Sequence, residues 1–249
     1  MAGAFVPASG RNSELYDAIA TRLGDSVLYS STVAQSLRNS LGVVLWVKSS
    51  VYNQYTLVIA DKLLIAIEPT TSNIEAFNPS LAEKTVFNKF QYSTIYAGIV
   101  SHPSLPENIS LVNTLARAAP ENYLSFPKPN FAPRFDSIGS NLFAVAVVGT
   151  DTLTPSAAKD LLATNINKMV TTGVLPASSG AGLDVRAWAV HGAMHARVSA
   201  SDIRGGFISQ QRALQSKLST WYTGAAFGAT STSILWAAND EMLPGLVAA

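Results

Sequence analysis

The chain contains no cysteine. Disulfides, thiolate nucleophiles, cysteine zinc sites and iron–sulfur clusters are therefore excluded. Charge is also scarce. Asp, Glu, Lys and Arg make up 13% of the 249 residues, with 17 basic against 16 acidic groups and a net charge of +1. Soluble domains usually carry about 25%. No global field would draw such a chain to nucleic acid or to an anionic membrane. Long apolar runs are missing as well. Tyr55–Ile67 is broken by Asp61 and Lys62, and Leu142–Val148 falls far short of the ~20 residues that a membrane helix needs. The first residues lack a basic segment followed by an apolar one, so no signal peptide and no membrane association are expected.

Catalytic signatures are absent too. There is no G-x-S-x-G nucleophile elbow and no Walker-type phosphate loop. Gly180-Ala181-Gly182 is a lone G-x-G, with Val185 where a dinucleotide fingerprint needs its third glycine. His191 and His195 share a face in helix or strand, but Gly192 follows the first histidine where a zincin has its general-base glutamate. The motifs call for no catalytic residue, no metal and no cofactor.

What remains is an apolar chain, 48% hydrophobic, with 35 alanines and 28 serines. Its patterning predicts an α+β fold of mixed helices and short strands, with a mainly helical second half. Residues 1–12 read as a flexible arm. Leu15, Tyr16, Ile19 and Leu23 mark one helix face ended by Gly24, and Thr32–Leu41 reads as a second helix ended by Gly42. Val43–Val47, Tyr55–Ala60, Leu63–Ile67 and Gln91–Val100 read as strands, the middle two around a tight turn at Asp61-Lys62. A short helix fits Leu81–Phe90, and another Ser110–Ala119. Three prolines in Phe126–Phe135 exclude helix and central strand. That segment is expected to be a hinge between an α+β region, 13–125, and a mainly helical region, 136–224. Beyond it, Leu142–Val148 fits strand or buried helix. Thr154-Pro155 opens a helix with Leu161, Leu162, Ile166, Met169 and Val170 on its apolar face. Val185–Val198 is ambiguous. Phe207, Gln211, Leu214, Leu218 and Trp221 predict one helix, and residues 225–249 form an apolar tail expected to pack on a neighbouring subunit or the core.

Charge is concentrated in one stretch. Arg186, Arg197, Arg204, Arg212 and Lys217 are opposed only by Asp202, with Trp188, Phe207, Trp221 and Tyr222 interleaved. Such a pattern can hold phosphates and stack bases. Together with the scarce charge and missing motifs, it predicts a self-assembling structural protein. The most concrete form is a non-enzymatic virus coat or nucleocapsid-type subunit, found in a virion or host cytoplasm. Its partners would be copies of itself and nucleic acid, RNA above all, bound without sequence preference. The alternative is an α+β enzyme or small-ligand-binding domain with a site near the Pro-rich segment, using His191, His195, Arg134 and Asp136. A third option, a surface carbohydrate-binding module using exposed Trp and Tyr, is weakened by the missing signal peptide.

Overall fold

Strand pairing between distant segments organises the chain in the computed structural model, which describes residues 7–114, 130–180, 182–228 and 230–248. Helix α1 (Ser13–Leu23) follows the predicted spacing, yet Leu15, Tyr16, Ile19 and Leu23 all remain exposed. Three strands then form an antiparallel sheet: β1 (Ser31–Asn39), β2 (Gly42–Ser49) and β3 (Tyr55–Ala60). The helix expected over 32–41 is thus strand β1. Its residues pair with β2 from Ser31 opposite Ser49 to Asn39 opposite Gly42. Gly42 serves the hairpin rather than a helix end, because a Cβ there would sit 2.8 Å from the Ala60 carbonyl oxygen. Val43, Leu45 and Val47 are buried on one side of β2, the period-2 pattern of a half-covered strand.

Strand β4 (Leu63–Ile65) is not the hairpin partner of β3; β3 pairs with β2, and β4 leaves that sheet. Helix α2 (Thr71–Ile74) and helix α3 (Leu81–Phe87) follow. Ser80 and Glu83 form a reciprocal capping box at the start of α3.

A five-stranded antiparallel sheet comes next: β5 (Gln91–Ser101), β6 (Leu111–Val112), β7 (Arg134–Gly139), β8 (Leu142–Gly149) and β9 (Asp184–Arg197), in the order β6-β7-β8-β5-β9. Helix α4 (Pro155–Thr171) joins β8 to β9, with Thr154 accepting from the Ala157 N–H and Pro155 at the first turn. Its Ala158, Leu162 and Ile166 are fully buried against Tyr96, Val100, Phe143, Val145 and Val147 of the sheet. This sheet takes β5 and β6 from before the Pro-rich segment and β8 and β9 from after it, while the internal strand β7 starts within the segment at Arg134, past its last proline, so one sheet and one core cross the expected division. Residues 126–129 of that segment lie outside the described residues. So do residues 115–119 of the helix expected over 110–119, whose start is the short strand β6.

The second half is not mainly helical. Strands β7, β8 and β9 lie in it, and Val185–Val198 resolves to the 14-residue edge strand β9. The single helix expected over 207–221 is instead α6 (Phe207–Arg212) followed by strand β10 (Thr220–Tyr222), with the short helix α5 (Ala200–Arg204) before it. Ser216, Leu218 and Ser219 adopt positive φ, which a continuing helix cannot accommodate, and Trp221 consequently lies in a strand. β10 pairs in parallel with β4, Trp221 opposite Leu64. A second apolar cluster surrounds this pair: Ile65, Ile74, Phe77, Val86, Phe87, Phe207, Leu214 and Tyr222. The apolar tail forms helix α7 (Thr232–Ala248), which buries none of its described residues. It is tied to the residue before β4 by the Lys62 Nζ bond to the Leu246 carbonyl at 2.7 Å. Among the described residues, no helix is long and apolar enough to cross a membrane.

Candidate functional site

β4 and β10 run in the same direction, so their carboxyl ends lie side by side. In open parallel sheets, ligands bind at that end, above the loops that follow the strands. Here those loops are residues 66–69 and 223–228, and α7 follows the second in the chain. Thr223 N–H donates to the Ile65 carbonyl at 2.9 Å, drawing the two loops together. Gly224 then turns with φ +100, and a Cβ there would lie 3.2 Å from the Ala66 carbonyl oxygen. Ala66, Gly224, Ala225, Ala226 and Gly228 are small, while Ile67, Glu68 and Phe227 of the same loops are larger, and Phe227 stacks on Tyr222. Beside it lies a cavity of about 230 Å³ lined by Gln211, Gln215, Tyr222, Thr223, Phe227 and Asn239, among others.

Side chains from three distant segments fix β10 beneath that loop. The Arg38 guanidinium meets the Glu83 carboxylate in two bonds, at 2.9 and 3.0 Å, with both side chains 2% exposed. Arg38 also donates to the Phe77 carbonyl at 2.7 Å, to Thr220 Oγ1 at 3.1 Å and to Tyr222 Oη at 3.2 Å. Tyr222 donates its hydroxyl proton to Glu83, which also accepts the Ser80 N–H at 2.6 Å. Burial alone would push the Glu83 carboxyl up. The bonds from Arg38, Tyr222 and Ser80, with the Arg38 charge, outweigh it and hold the carboxyl below its ordinary range. Burial and the neighbouring Glu83 push the Tyr222 phenol up. On the far side of β10, Gln215 accepts the Tyr222 N–H and donates to the Tyr222 carbonyl, both at 2.8 Å. Gln211 holds the Ala226 carbonyl at 2.8 Å.

A larger cavity, about 630 Å³, opens where the five-stranded sheet meets the second cluster. It is lined by Pro69, Thr70, Phe87, Tyr92, Thr150 and Arg197, among others. Near it, Glu68 Oε2 and the Tyr92 hydroxyl are both buried without a hydrogen-bond partner among the described residues. Burial pushes the Glu68 carboxyl up, and burial with the Glu68 charge pushes the Tyr92 phenol up. The sheet face away from α4 carries Ile95, Ala97 and Ile99 of β5 beside Val148, Ala146 and Ala144 of β8, all of them only partly buried. It is an apolar floor of three alanines, two isoleucines and a valine.

The residues singled out from sequence lie elsewhere or apart. Arg186 is exposed on β9 and pairs with Asp184 at 2.7 Å. Arg197 ends β9 and donates to Ser93 Oγ at 2.5 Å. Arg204 ends α5, Arg212 ends α6 beside the smaller cavity, and Lys217 lies beyond α6. His191 and His195 lie on β9, where Gly192 and His195 both have positive φ and the register with β5 shifts. Among the described residues, no group of three or more His, Asp or Glu is placed to hold a metal. Arg134 and Asp136 form an ion pair at 2.5 Å on β7. Arg38, Glu83, Gln215 and Gly224 carry no motif that sequence reasoning singles out, and Tyr222 is singled out only as a stacking aromatic. One signal is present for Glu83: Ser80-Leu-Ala-Glu83 spells a capping box.

Comparison with known proteins points to a different class from the one expected. The chain is 32% identical to the FAD-dependent oxidoreductase dpchF of Colletotrichum higginsianum, over 98% of its own length and 52% of the relative's. It is 30% identical to the FAD-dependent oxidoreductase pigF of Monascus ruber, over 98% and 52%. It is 28% identical to a beta-cyclopiazonate dehydrogenase of Aspergillus flavus, over 92% and 49%. The chain thus spans about half the length of the curated relatives it matches. No family model matches it. Among solved structures, its fold is similar to a CLA-producing fatty acid isomerase from P. acnes, with a TM-score of 0.65 and 12% identity over 94% of this chain and 51% of that one. A putative protoporphyrinogen oxidase from Exiguobacterium sp. gives 0.52 and 10%, over 87% and 46%. These findings overturn the coat-protein and nucleocapsid reading, its virion and capsid descriptors and its non-enzymatic character. They place the chain beside proteins named as oxidoreductases, and so favour the α+β alternative over the coat-protein reading. Composition misleads here because low charge and apolar surface are shared by any chain that buries its faces against a partner.

Proposed function

We propose that this chain is one half of a flavin-dependent oxidoreductase, supplying part of the cofactor's cradle and the apolar side of the substrate chamber. The observation that carries this reading is the parallel β4–β10 pair with its glycine-containing loop at the carboxyl ends. A dinucleotide cofactor needs close approach to backbone N–H groups at such an end, and bulky side chains would prevent it. The residues present fit FAD in part. The Gly224–Gly228 loop and the first turn of α7 would hold it, while the G-x-G-x-x-G fingerprint is not in this sequence and would come from the other half.

Bound flavin would supply the acceptor for an electron pair taken from substrate. The chain's own residues act around that event. Arg38, Glu83 and Tyr222 fix β10, Gln211 and Gln215 fix the loop after it, and the face built on Ala97, Ala144 and Ala146 excludes water and receives a carbon-rich substrate. The test is to co-express this chain with the half of dpchF that it does not match and to pass the complex over a sizing column. Retained flavin absorbance that bleaches anaerobically with substrate supports the reading; a stable complex that never retains flavin refutes it.

A further inference from the structure

We propose that Glu68 Oε2 and the Tyr92 hydroxyl form the polar end of a ligand site that recognises an uncharged hydroxyl group. Its link to a substrate rests on the oxidoreductase reading above, to which it adds the group that the chamber selects.

Two buried oxygens without partners mark the place. Buried side-chain polar atoms nearly always find a hydrogen bond, and the exceptions call for a reason. Here two occur together beside one cavity. Tyr92 lines the space of about 630 Å³, and the Glu68 charge acts on its hydroxyl. Both backbones are pinned. The Glu68 carbonyl accepts the Thr70 N–H at 2.8 Å and the Asn73 side-chain amide at 2.9 Å. Tyr92 stands at a register shift between β5 and β9. Gln91 pairs with Arg197 and Ser93 with Met194, so His195 and Ala196 oppose Tyr92 alone. Bulges of this kind re-aim a side chain and recur beside active sites. Arg197 holds this one, donating to the Tyr92 carbonyl at 3.4 Å and to Ser93 Oγ at 2.5 Å. Both oxygens are closed to water in this conformation, so a ligand reaches them through a side-chain rotation of the kind common on binding.

The chemistry of the ligand follows from what surrounds the pair. Burial disfavours a charged Glu68, and a group that donates a proton into its carboxylate relieves that cost. Arg197 and Asp151 line the same cavity with opposite signs, so it favours neither a cation nor an anion. The Tyr92 phenol is kept protonated by burial and by Glu68, and therefore acts as a donor. A hydroxyl meets both needs at one atom: it donates to Glu68 and accepts from Tyr92. Phe87, Phe90 and Pro69 give the same cavity apolar walls for a carbon ring. Pro69 and Thr70 also place it just past the carboxyl end of β4, beside the proposed cofactor cradle.

Calorimetric titration of the full chain with four probes of one shape tests the site: β-naphthol, its methyl ether, naphthoate and naphthylmethylamine. Naphthol should bind about tenfold or more tighter than the ether, the worth of one hydrogen bond to a charged acceptor, and tighter than either charged probe. Glu68→Leu should erase the preference for naphthol over its ether, because only naphthol donates. Tyr92→Phe should weaken both alike, because both accept. Should a variant fail to fold, amide exchange on the unsubstituted chain decides in its place, with naphthol expected to slow the Thr70 and Tyr92 amides. Equal affinity for naphthol and ether, preference for a charged probe, or binding that neither variant nor exchange traces to Glu68 and Tyr92 overturns the proposal. Flavin retained by the co-expressed complex without a naphthol preference removes this site alone. A naphthol preference erased by Glu68→Leu, in a complex that never retains flavin, leaves the site standing and removes the oxidoreductase reading.

Discussion

Arg38 and Glu83 show how much one buried ion pair can be asked to do. Each is nearly sealed from solvent, so neither can be left alone without stranding a charge. Arg38→Met should destabilise the chain by ~3–5 kcal/mol, whereas replacing both partners with apolar residues of similar volume should cost much less. A denaturant titration of the single and double variants checks this. The pair also has a pH signature. The folded-state pKa of Glu83 is lowered, so its contribution is complete above the ordinary carboxylate pKa of about 4.3 and is lost as pH falls through the folded value. Glu68 has the opposite sign. Burial raises its pKa, so its contribution is present at acid pH and lost as pH rises through the folded value, leaving a liability near neutrality. Glu68→Gln should therefore raise Tm at neutral pH and give no gain at about pH 4, close to the ordinary Glu pKa. A neutral-pH Tm that stays level or drops would show that Glu68 finds a partner in solution.

At the scale of elements, helix α4 and the sheet beneath it carry the main core. Leu162→Ala or Ile166→Ala should cost ~2–5 kcal/mol, read by chemical denaturation, because both side chains are fully enclosed. Gly98 is a finer test. A Cβ there would lie 2.5 Å from Trp188 Cε3 and 2.9 Å from the Ala187 carbonyl oxygen, so Gly98→Ala must push β9 away and should cost ~1–3 kcal/mol. Trimming Trp188 in the same chain would recover only part of that, since the backbone oxygen remains. These elements are legible in the sequence because their signals are local. Thr154-Pro155 announces α4, and the β-branched, aromatic run Gln91–Val100 announces β5, while Leu142–Val148 fits strand or buried helix until its pairing with β5 is seen. Strand β1 reads as a helix because Thr32–Leu41 satisfies helical spacing equally well, and only its pairing with β2 settles the matter. β10 is hidden for a stronger reason: three residues have no period, and their partner β4 lies far back in the sequence. The site inherits that opacity. Arg38, Glu83 and Tyr222 belong to three segments that only the fold brings together.

For the molecule as a whole, the apolar, weakly charged surface is the clue that composition offers. Leu57 and Ile59 of β3 are 54% and 73% exposed, and strand pairing sets them beside Trp46 and Val44 of β2 on the outward face of the three-stranded sheet. Val44 in turn stands opposite Leu37 of β1, itself 54% exposed. Helix α1 adds a second bare apolar face. Contiguous apolar area of this kind on a soluble chain marks an interaction surface. With a net charge of only +1, little repulsion keeps separate copies apart. The isolated chain should therefore self-associate in a concentration-dependent manner. Leu57→Lys with Ile59→Lys should suppress that association, because the ammonium groups would have to be desolvated in any contact there. The same pair of changes should leave folding stability within about 0.5 kcal/mol, since neither side chain supports the core. Light scattering across a dilution series, beside a denaturant melt, reads both quantities. A doubly substituted chain that still associates like the parent would place the sticky surface elsewhere, with α1 the next face to charge; one that loses stability would show that this face is already covered within the chain.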